Sequence, residues 1–398
     1  MDQDELLKRR QLQRRRQLKE ERIKKQKRNR LIALCSLVVL IIILIIVIAS
    51  IAKSCGNPSS QTSVTSTPTE TTTSSSTDET TAPTTKPTES QTIIPIKDDG
   101  KDGEMVGGLY IWNNSGFELF YGGETSAKAY ADKISSYKEK LGDDITVYNM
   151  VVPNHTEFGL PDRLTNSLQA DSQTLSQREN TSNVYNNYSA NVKAVDVYDK
   201  LNQHKTEYLY FNTDHHWTGL GAYYAYTKFA EVAGLTPLSL DDCTKNSISG
   251  FTGSLYTMTS DQRLANNADT VNYYTLPGDY SCTIPNIADY PIDMYYTMAE
   301  AGSNTYGVFL WGDNPLTVID NNDNDSGDKI AIVKESYGNA VSSYFAYNYD
   351  ETHIIDFRHF DGKLKDYCAE NGIKTVLFVN GVMSANTPLQ LSNMDTLF

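Results

Sequence analysis

Positive charge is scarce in this 398-residue chain once its first 30 residues are passed. Residues 31–398 hold 22 Lys and Arg against 44 Asp and Glu, whereas residues 1–30 hold 13 basic and 5 acidic side chains. A nucleic-acid backbone needs clustered Lys and Arg to release its counterions, so the acidic body excludes nucleic acid as a partner. The basic head is too short to be a folded DNA-binding domain. Cysteine is sparse as well. Cys35, Cys55, Cys243, Cys282 and Cys368 form no CxxC pair and no evenly spaced framework, which argues against a zinc knuckle or a disulfide scaffold. A Cys243–Cys282 bridge stays open. Histidine is limited to six residues, and no cofactor is expected.

Leu31 to Ala52 is an unbroken apolar run without a charge. About 20 apolar residues cross a hydrocarbon core of roughly 30 Å, and a cleaved signal peptide would have a shorter apolar stretch and a shorter head. We therefore expect a basic cytoplasmic tail at 1–30 and a transmembrane helix at 31–52. The Lys and Arg clusters on the amino side keep that side in the cytoplasm, so the C-terminal body should be extracellular. From Gly56 to Gln91, 21 of 36 residues are Ser or Thr, interleaved with four Pro. Such a segment cannot offset the entropy of folding, so 53–99 reads as a linker, of which Gly56 to Gln91 alone reaches at most ~120 Å when stretched at ~3.3 Å per residue.

The remaining residues, 100–398, alternate short apolar runs with amphipathic ones. Strands are expected at Gly108–Trp112, Ile145–Val152, Tyr208–Phe211, Tyr306–Leu310, Lys329–Val333, His353–Phe357 and Lys374–Val379. Helices are expected at Ser126–Leu141, Asn187–Asn202, Gly219–Ala233, Asn339–Tyr347 and Lys363–Asn371. This alternation predicts an α/β domain, a parallel sheet sandwiched by helices. Residues 236–300 break the pattern with turns and short β-like pieces (Asn272–Leu276, Met294–Thr297), and read as a β-rich insertion.

Two of the histidines are adjacent, in Asp214-His215-His216-Trp217. The string follows one strand candidate and precedes a helix candidate, a place where α/β folds present side chains at the carboxyl edge of the sheet. Asp214 and His216, two residues apart, can point to one side, the carboxylate orienting the ring and leaving its second nitrogen as a general base. A nucleophile is suggested at Ser336, which follows the apolar strand ending at Val333 and precedes a helix, a strand–turn–helix element that exposes a hydroxyl. The plainer readings are a helix N-cap for Ser336 and a surface hydrogen bond for the Asp–His pair. Metal binding by Asp214, His215 and His216 is not expected, since consecutive residues in an extended turn rarely converge on one ion.

The string Asp214-His215-His216-Trp217 resembles the signature of the bacterial DHHW protein family, itself similar to the acetyltransferase-type SGNH domains of alginate acetylation proteins. Val151-Val152-Pro153-Asn154, the run from Val308 to Leu316, the stretch from Val333 to Asn339 and Ile354–Arg358 resemble further blocks of the family, in order, over roughly residues 105–385. The resemblance implies an SGNH-like fold and a catalytic triad of Asp214, His216 and Ser336. Gly312 and Asn339 are its candidates for the oxyanion site, with Trp217 and His215 adjacent. Glu335 stands where the relatives often have Asp, and His155 where the family pattern commonly has Lys. Tyr273, Tyr274, Tyr280, Tyr290, Tyr295, Tyr296 and Tyr306 lie in or beside the insertion, either as sugar-stacking faces or as ordinary core.

The expectation is a single-pass cell-membrane protein displaying an SGNH-like acyl (acetyl) transferase that acts on surface or wall polysaccharide. Its partners would be the surface glycan and a multi-span membrane acyltransferase that supplies the acetyl donor. A carbohydrate acetylesterase, or a non-catalytic wall-associated glycan-binding or assembly protein, are the alternatives.

Overall fold

Alternating apolar residues in four short runs build the centre of the fold. In the strand Lys329–Lys334, Ile330 and Ile332 point to one face while Ala331 and Val333 point to the other, the period of two that a sheet covered on both sides requires. The computed structural model describes residues 93–288 and 290–398. The expected tail at 1–30, the span at 31–52 and the linker up to residue 92 lie outside them. Among the described residues no helix is long and apolar enough to cross a membrane.

The strands are β1 (Glu104–Val106), β2 (Leu109–Trp112), β3 (Ser115–Glu118), β4 (Thr146–Val152), β5 (Val192–Ala194), β6 (Thr244–Phe251), β7 (Asp269–Thr275), β8 (Tyr280–Thr283), β9 (Leu316–Asn321), β10 (Lys329–Lys334), β11 (Glu351–Asp356) and β12 (Thr375–Gly381). Seven of them form the central sheet, in the order β5-β4-β12-β10-β11-β9-β8. The first five run parallel. Counted from β10, that parallel set reads 2-1-3-4-5 from β11 to β5, the flavodoxin-like order, with β4 and β5 placed ahead of β10 in the chain instead of after it. Ligands in such sheets bind beyond the carboxyl ends of the strands where the order reverses. Here that point lies between β10 and β12.

One face of the sheet packs against the helices Gly219–Ala233 and Gly338–Phe345, the other against Glu124–Leu141, Leu364–Asn371 and Pro388–Asp395. The helix Gly219–Ala233 starts where Thr218 Oγ1 accepts the Gly221 amide and ends at Gly234 in the left-handed region, a capping pattern that stops a helix cleanly.

Several expectations are corrected. The sheet is not wholly parallel, because at one edge β9 pairs antiparallel with β11 and β8 antiparallel with β9. Gly108–Trp112 contributes β2, which belongs to a separate sheet with β1 and β3. Tyr208–Phe211 makes only a single bridge, Tyr210 to Trp217. Tyr306–Leu310 is a 3-10 turn (Thr305–Val308), not a strand. Asn187–Asn202 is not one helix: it holds β5 and the short helix Tyr198–Gln203. Within 236–300, β6 and β7 form a two-stranded sheet of their own, and β8 adds to the edge of the central sheet. Cys243 and Cys282 are free thiols.

Candidate active site

The Asp214–Trp217 string sits on a tight loop closed at its base. Phe211 N donates to His216 O at 3.2 Å and Thr218 N to Leu209 O at 2.8 Å. Within the loop Asp214 and His216 turn the same way, and both are buried. His216 Nδ1 lies 2.6 Å from Asp214 Oδ1, and the His216 amide donates to the same oxygen at 3.0 Å. Asp214 Oδ2 accepts the Ser254 amide at 2.8 Å. That contact needs glycine at position 253, where a Cβ would stand 2.2 Å from Asp214 Cβ.

Burial alone would raise the Asp214 carboxyl. The charge and hydrogen bond of His216 outweigh it and hold the group well below the usual carboxylate range. An ionised carboxylate only accepts, so the proton of a neutral His216 sits on Nδ1 and Nε2 is left as an acceptor. Ser336 Oγ lies 2.8 Å from that Nε2. Ser336 follows β10 at the point where the sheet order reverses, and its side chain does not cap the next helix, whose N-cap, Tyr337, makes no side-chain cap bond. The structure thus brings Asp214, His216 and Ser336 together in one hydrogen-bonded line.

Glu335 has a defined place in this arrangement. Its Oε1 accepts the Gly381 amide at 2.8 Å, and its Oε2 accepts the Tyr337 amide at 3.1 Å and stands 3.2 Å from Ser336 Oγ. The carboxylate therefore ties the serine turn to the end of β12. Trp217 is fully buried and its indole N–H donates to Tyr337 O at 2.9 Å, locking the histidine loop onto the serine turn. His215 faces elsewhere: its Nδ1 is 2.6 Å from Ser254 Oγ, and burial together with the neighbouring His216 lowers its pKa to about 4.

The two oxyanion candidates each donate within the protein. Gly312 N donates to Phe309 O at 3.0 Å, and Asn339 Nδ2 donates to Asp313 Oδ1 at 2.9 Å. Ligand atoms of Asp214, His215 and His216 lie within 4.8 Å of one another, the spacing of a metal cluster, but Asp214 is engaged by the His216 ring and the Ser254 amide. His155 opens the helix His155–Gly159 and is half-buried, its ring packed on Phe117 and Tyr210, and desolvation lowers its pKa to about 4.

Sequence reasoning missed three contributors besides Ser254. Tyr306 lies flat on His216, with ring centroids 4.0 Å apart, and its hydroxyl donates to Ser336 O at 3.1 Å. Asp269, on β7, clamps the start of the histidine loop through Asn212 and Thr213. Glu118, at the end of β3, carries a carboxyl that burial and the Asp214 charge raise to about 7. Each comes from a part of the chain distant in sequence, without a local motif.

Residues 78–355 match the family model described as DHHW protein. The chain belongs to the DHHW protein family. A solved DHHW family protein from Eubacterium siraeum is 31% identical, with 76% of this chain and 99% of that one covered and a TM-score of 0.68. Bacillus cereus PatB1, solved with a sulfonyl adduct, shares the fold at 18% identity over 71% of this chain and 96% of that one, TM-score 0.56. The O-acetyltransferase domain of Pseudomonas putida AlgJ also matches, at 16% identity over 68% of this chain and 88% of that one, with a TM-score of 0.34 that carries no structural argument. No curated protein matches the sequence.

Proposed function

We propose that this DHHW-family chain is a serine-dependent acyl transferase, most simply an O-acetyltransferase, acting on a cell-surface polysaccharide. The observation that carries the reading is the line Asp214 Oδ1, His216 Nδ1, His216 Nε2, Ser336 Oγ, with its links of 2.6 and 2.8 Å. In the first half-reaction Ser336 Oγ attacks the donor carbonyl while His216 Nε2 takes its proton, and Asp214 steadies the imidazolium that forms. His216 then gives the proton to the departing donor group. In the second half-reaction an acceptor hydroxyl loses its proton to His216, attacks the acyl-serine and carries the acyl group away.

The apolar run at 31–52 and its basic flank support a place in the cell membrane, single-pass, with the catalytic domain outside. Acetyl-coenzyme A is not available there, so a multi-span membrane acyltransferase is the proposed source of the acetyl donor. Protease added to intact protoplasts should remove the body and leave about the first 55 residues protected. A protected body would reverse the orientation.

The chemistry is tested with 4-nitrophenyl acetate. The full chain should hydrolyse it, and Ser336→Ala, His216→Ala and Asp214→Asn should each lower the rate by about 100-fold or more. Double variants should lose little further, because the three act as a unit. Single variants that keep wild-type turnover would remove the triad from the reading.

A further inference from the structure

Three consecutive residues, Leu310, Trp311 and Gly312, lie in the left-handed backbone region, with φ of 53°, 61° and 82°. Two of them carry bulky side chains that rarely adopt it, so the surroundings must hold them there. Leu310 is buried and its N–H donates to Met294 O at 3.2 Å. The Asn314 amide donates to the Leu310 and Gly312 carbonyls at 2.8 and 3.3 Å. The loop leaves Trp311 partly exposed, and its neighbours in the chain reach the serine site. Asp313, the second residue on, meets Asn339 of the helix that follows Ser336, and Tyr306, five residues back, lies on His216.

The Trp311 ring meets Tyr296 with centroids 4.4 Å apart, and its indole N–H donates to Asp293 O at 2.8 Å. Trp112 and Trp217 are 7% and 0% exposed, which leaves Trp311 as the tryptophan a ligand can reach. The tyrosines considered for sugar contact thin out in the same way. Tyr273, Tyr274, Tyr295 and Tyr306 are buried in the core; of those left, Tyr290 is exposed and Tyr280 half-buried, and it is the half-buried Tyr296 that packs against Trp311.

We propose that Trp311, backed by Tyr296, is the acceptor subsite and stacks an uncharged saccharide ring so that one of its hydroxyls reaches the acyl ester on Ser336. This rests on the acyl-transfer reading above. A flat aromatic face suits the C–H face of a pyranose ring, and the acceptors at its edge suit hydroxyls. An anionic ring is disfavoured because Asp293 is exposed beside the indole, and Arg358 is already held by Asp313 at 3.0 Å and Asp356 at 2.6 Å. The hydroxyl oxygen attacks the acyl carbonyl as its proton passes to His216 Nε2. The carbonyl bond to Ser336 Oγ then breaks, and that oxygen takes the proton.

The test is the partition of the acyl-enzyme between water and cellopentaose, a neutral oligosaccharide, with 4-nitrophenyl acetate as donor and the full chain as enzyme. The ratio of transfer to hydrolysis does not depend on how much protein is folded. In Trp311→Ala it should fall about tenfold or more, through a weaker acceptor KM, while Trp311→Phe should keep most of it. An unchanged ratio in Trp311→Ala, or an equal fall in Trp311→Phe, overturns the subsite. So does a wild type that forms the acyl-enzyme but transfers to oligogalacturonate and not to cellopentaose. A wild type that forms no acyl-enzyme overturns the acyl-transfer reading instead. Tryptophan fluorescence titrated with cellopentaose then decides the subsite: a shift absent from Trp311→Phe supports it, and no shift overturns it.

Discussion

The His216 imidazole lies flat on the Tyr306 ring, with centroids 4.0 Å apart and planes within 8°. Burial pushes the Tyr306 phenol well above its ordinary range, so it stays neutral, and its hydroxyl bonds to the Ser336 carbonyl. One residue thus holds the base and the backbone of the nucleophile in register. Tyr306→Phe keeps the stacked face and should retain activity within about threefold, while Tyr306→Leu frees the imidazole and should cost about tenfold or more in kcat. Ester hydrolysis by the two variants checks this, and equal rates would remove Tyr306 from any positioning role.

Asp269 should matter to stability and activity alike. Its Oδ1 accepts from Tyr208 Oη at 2.5 Å, Asn212 N at 2.8 Å and Asn212 Nδ2 at 2.9 Å, and its Oδ2 from Thr213 N at 2.8 Å and Thr213 Oγ1 at 2.6 Å. Asp269→Ala strands buried donors at the start of the histidine loop, so it should destabilise by about 3 kcal/mol or more. Denaturant unfolding measures this. A midpoint equal to that of the wild type would contradict it.

Glu118 gives a pH signature. Burial first, and then the Asp214 charge, raise its carboxyl to about 7, with His216 opposing. The ordinary value is about 4.3, so the folded chain holds this proton more tightly than the unfolded one. The stability it contributes is full below about pH 4 and is lost as pH rises through about 7. Glu118→Gln removes the penalty, so its Tm should exceed that of the wild type by a few degrees more at pH 8 than at pH 4. Thermal melts at the two pH values check it, and a pH-independent difference would contradict the assignment.

The buried strands were legible because apolar runs such as Ile330–Val333 and Val376–Val379 are dense and short. The helix Gly219–Ala233 keeps its expected bounds because Thr218 caps its start and Gly234 its end. The strand Leu316–Asn321 is absent from the sequence expectations altogether, and nothing in it marks an antiparallel direction; only its pairing with β11 does. Val192–Ala194 was lost inside an expected helix because three residues carry too little pattern to mark a strand. The Val308–Leu310 run looked like a strand but enters a left-handed turn. In the site, Asp214, His216 and Ser336 could be named because two adjacent histidines and a strand–turn–helix serine are local patterns. Ser254, Asp269, Glu118 and Tyr306 act through tertiary contacts and left no such trace.

The most direct test of the central claim is covalent. A fluorophosphonate probe reacts with a serine whose hydroxyl is activated by a neighbouring base. Peptide mass spectrometry of the labelled full chain should find the adduct on Ser336. Labelling should vanish in Ser336→Ala and slow sharply in His216→Ala. A folded wild-type protein that stays unlabelled, or carries the adduct on another residue, would contradict the account.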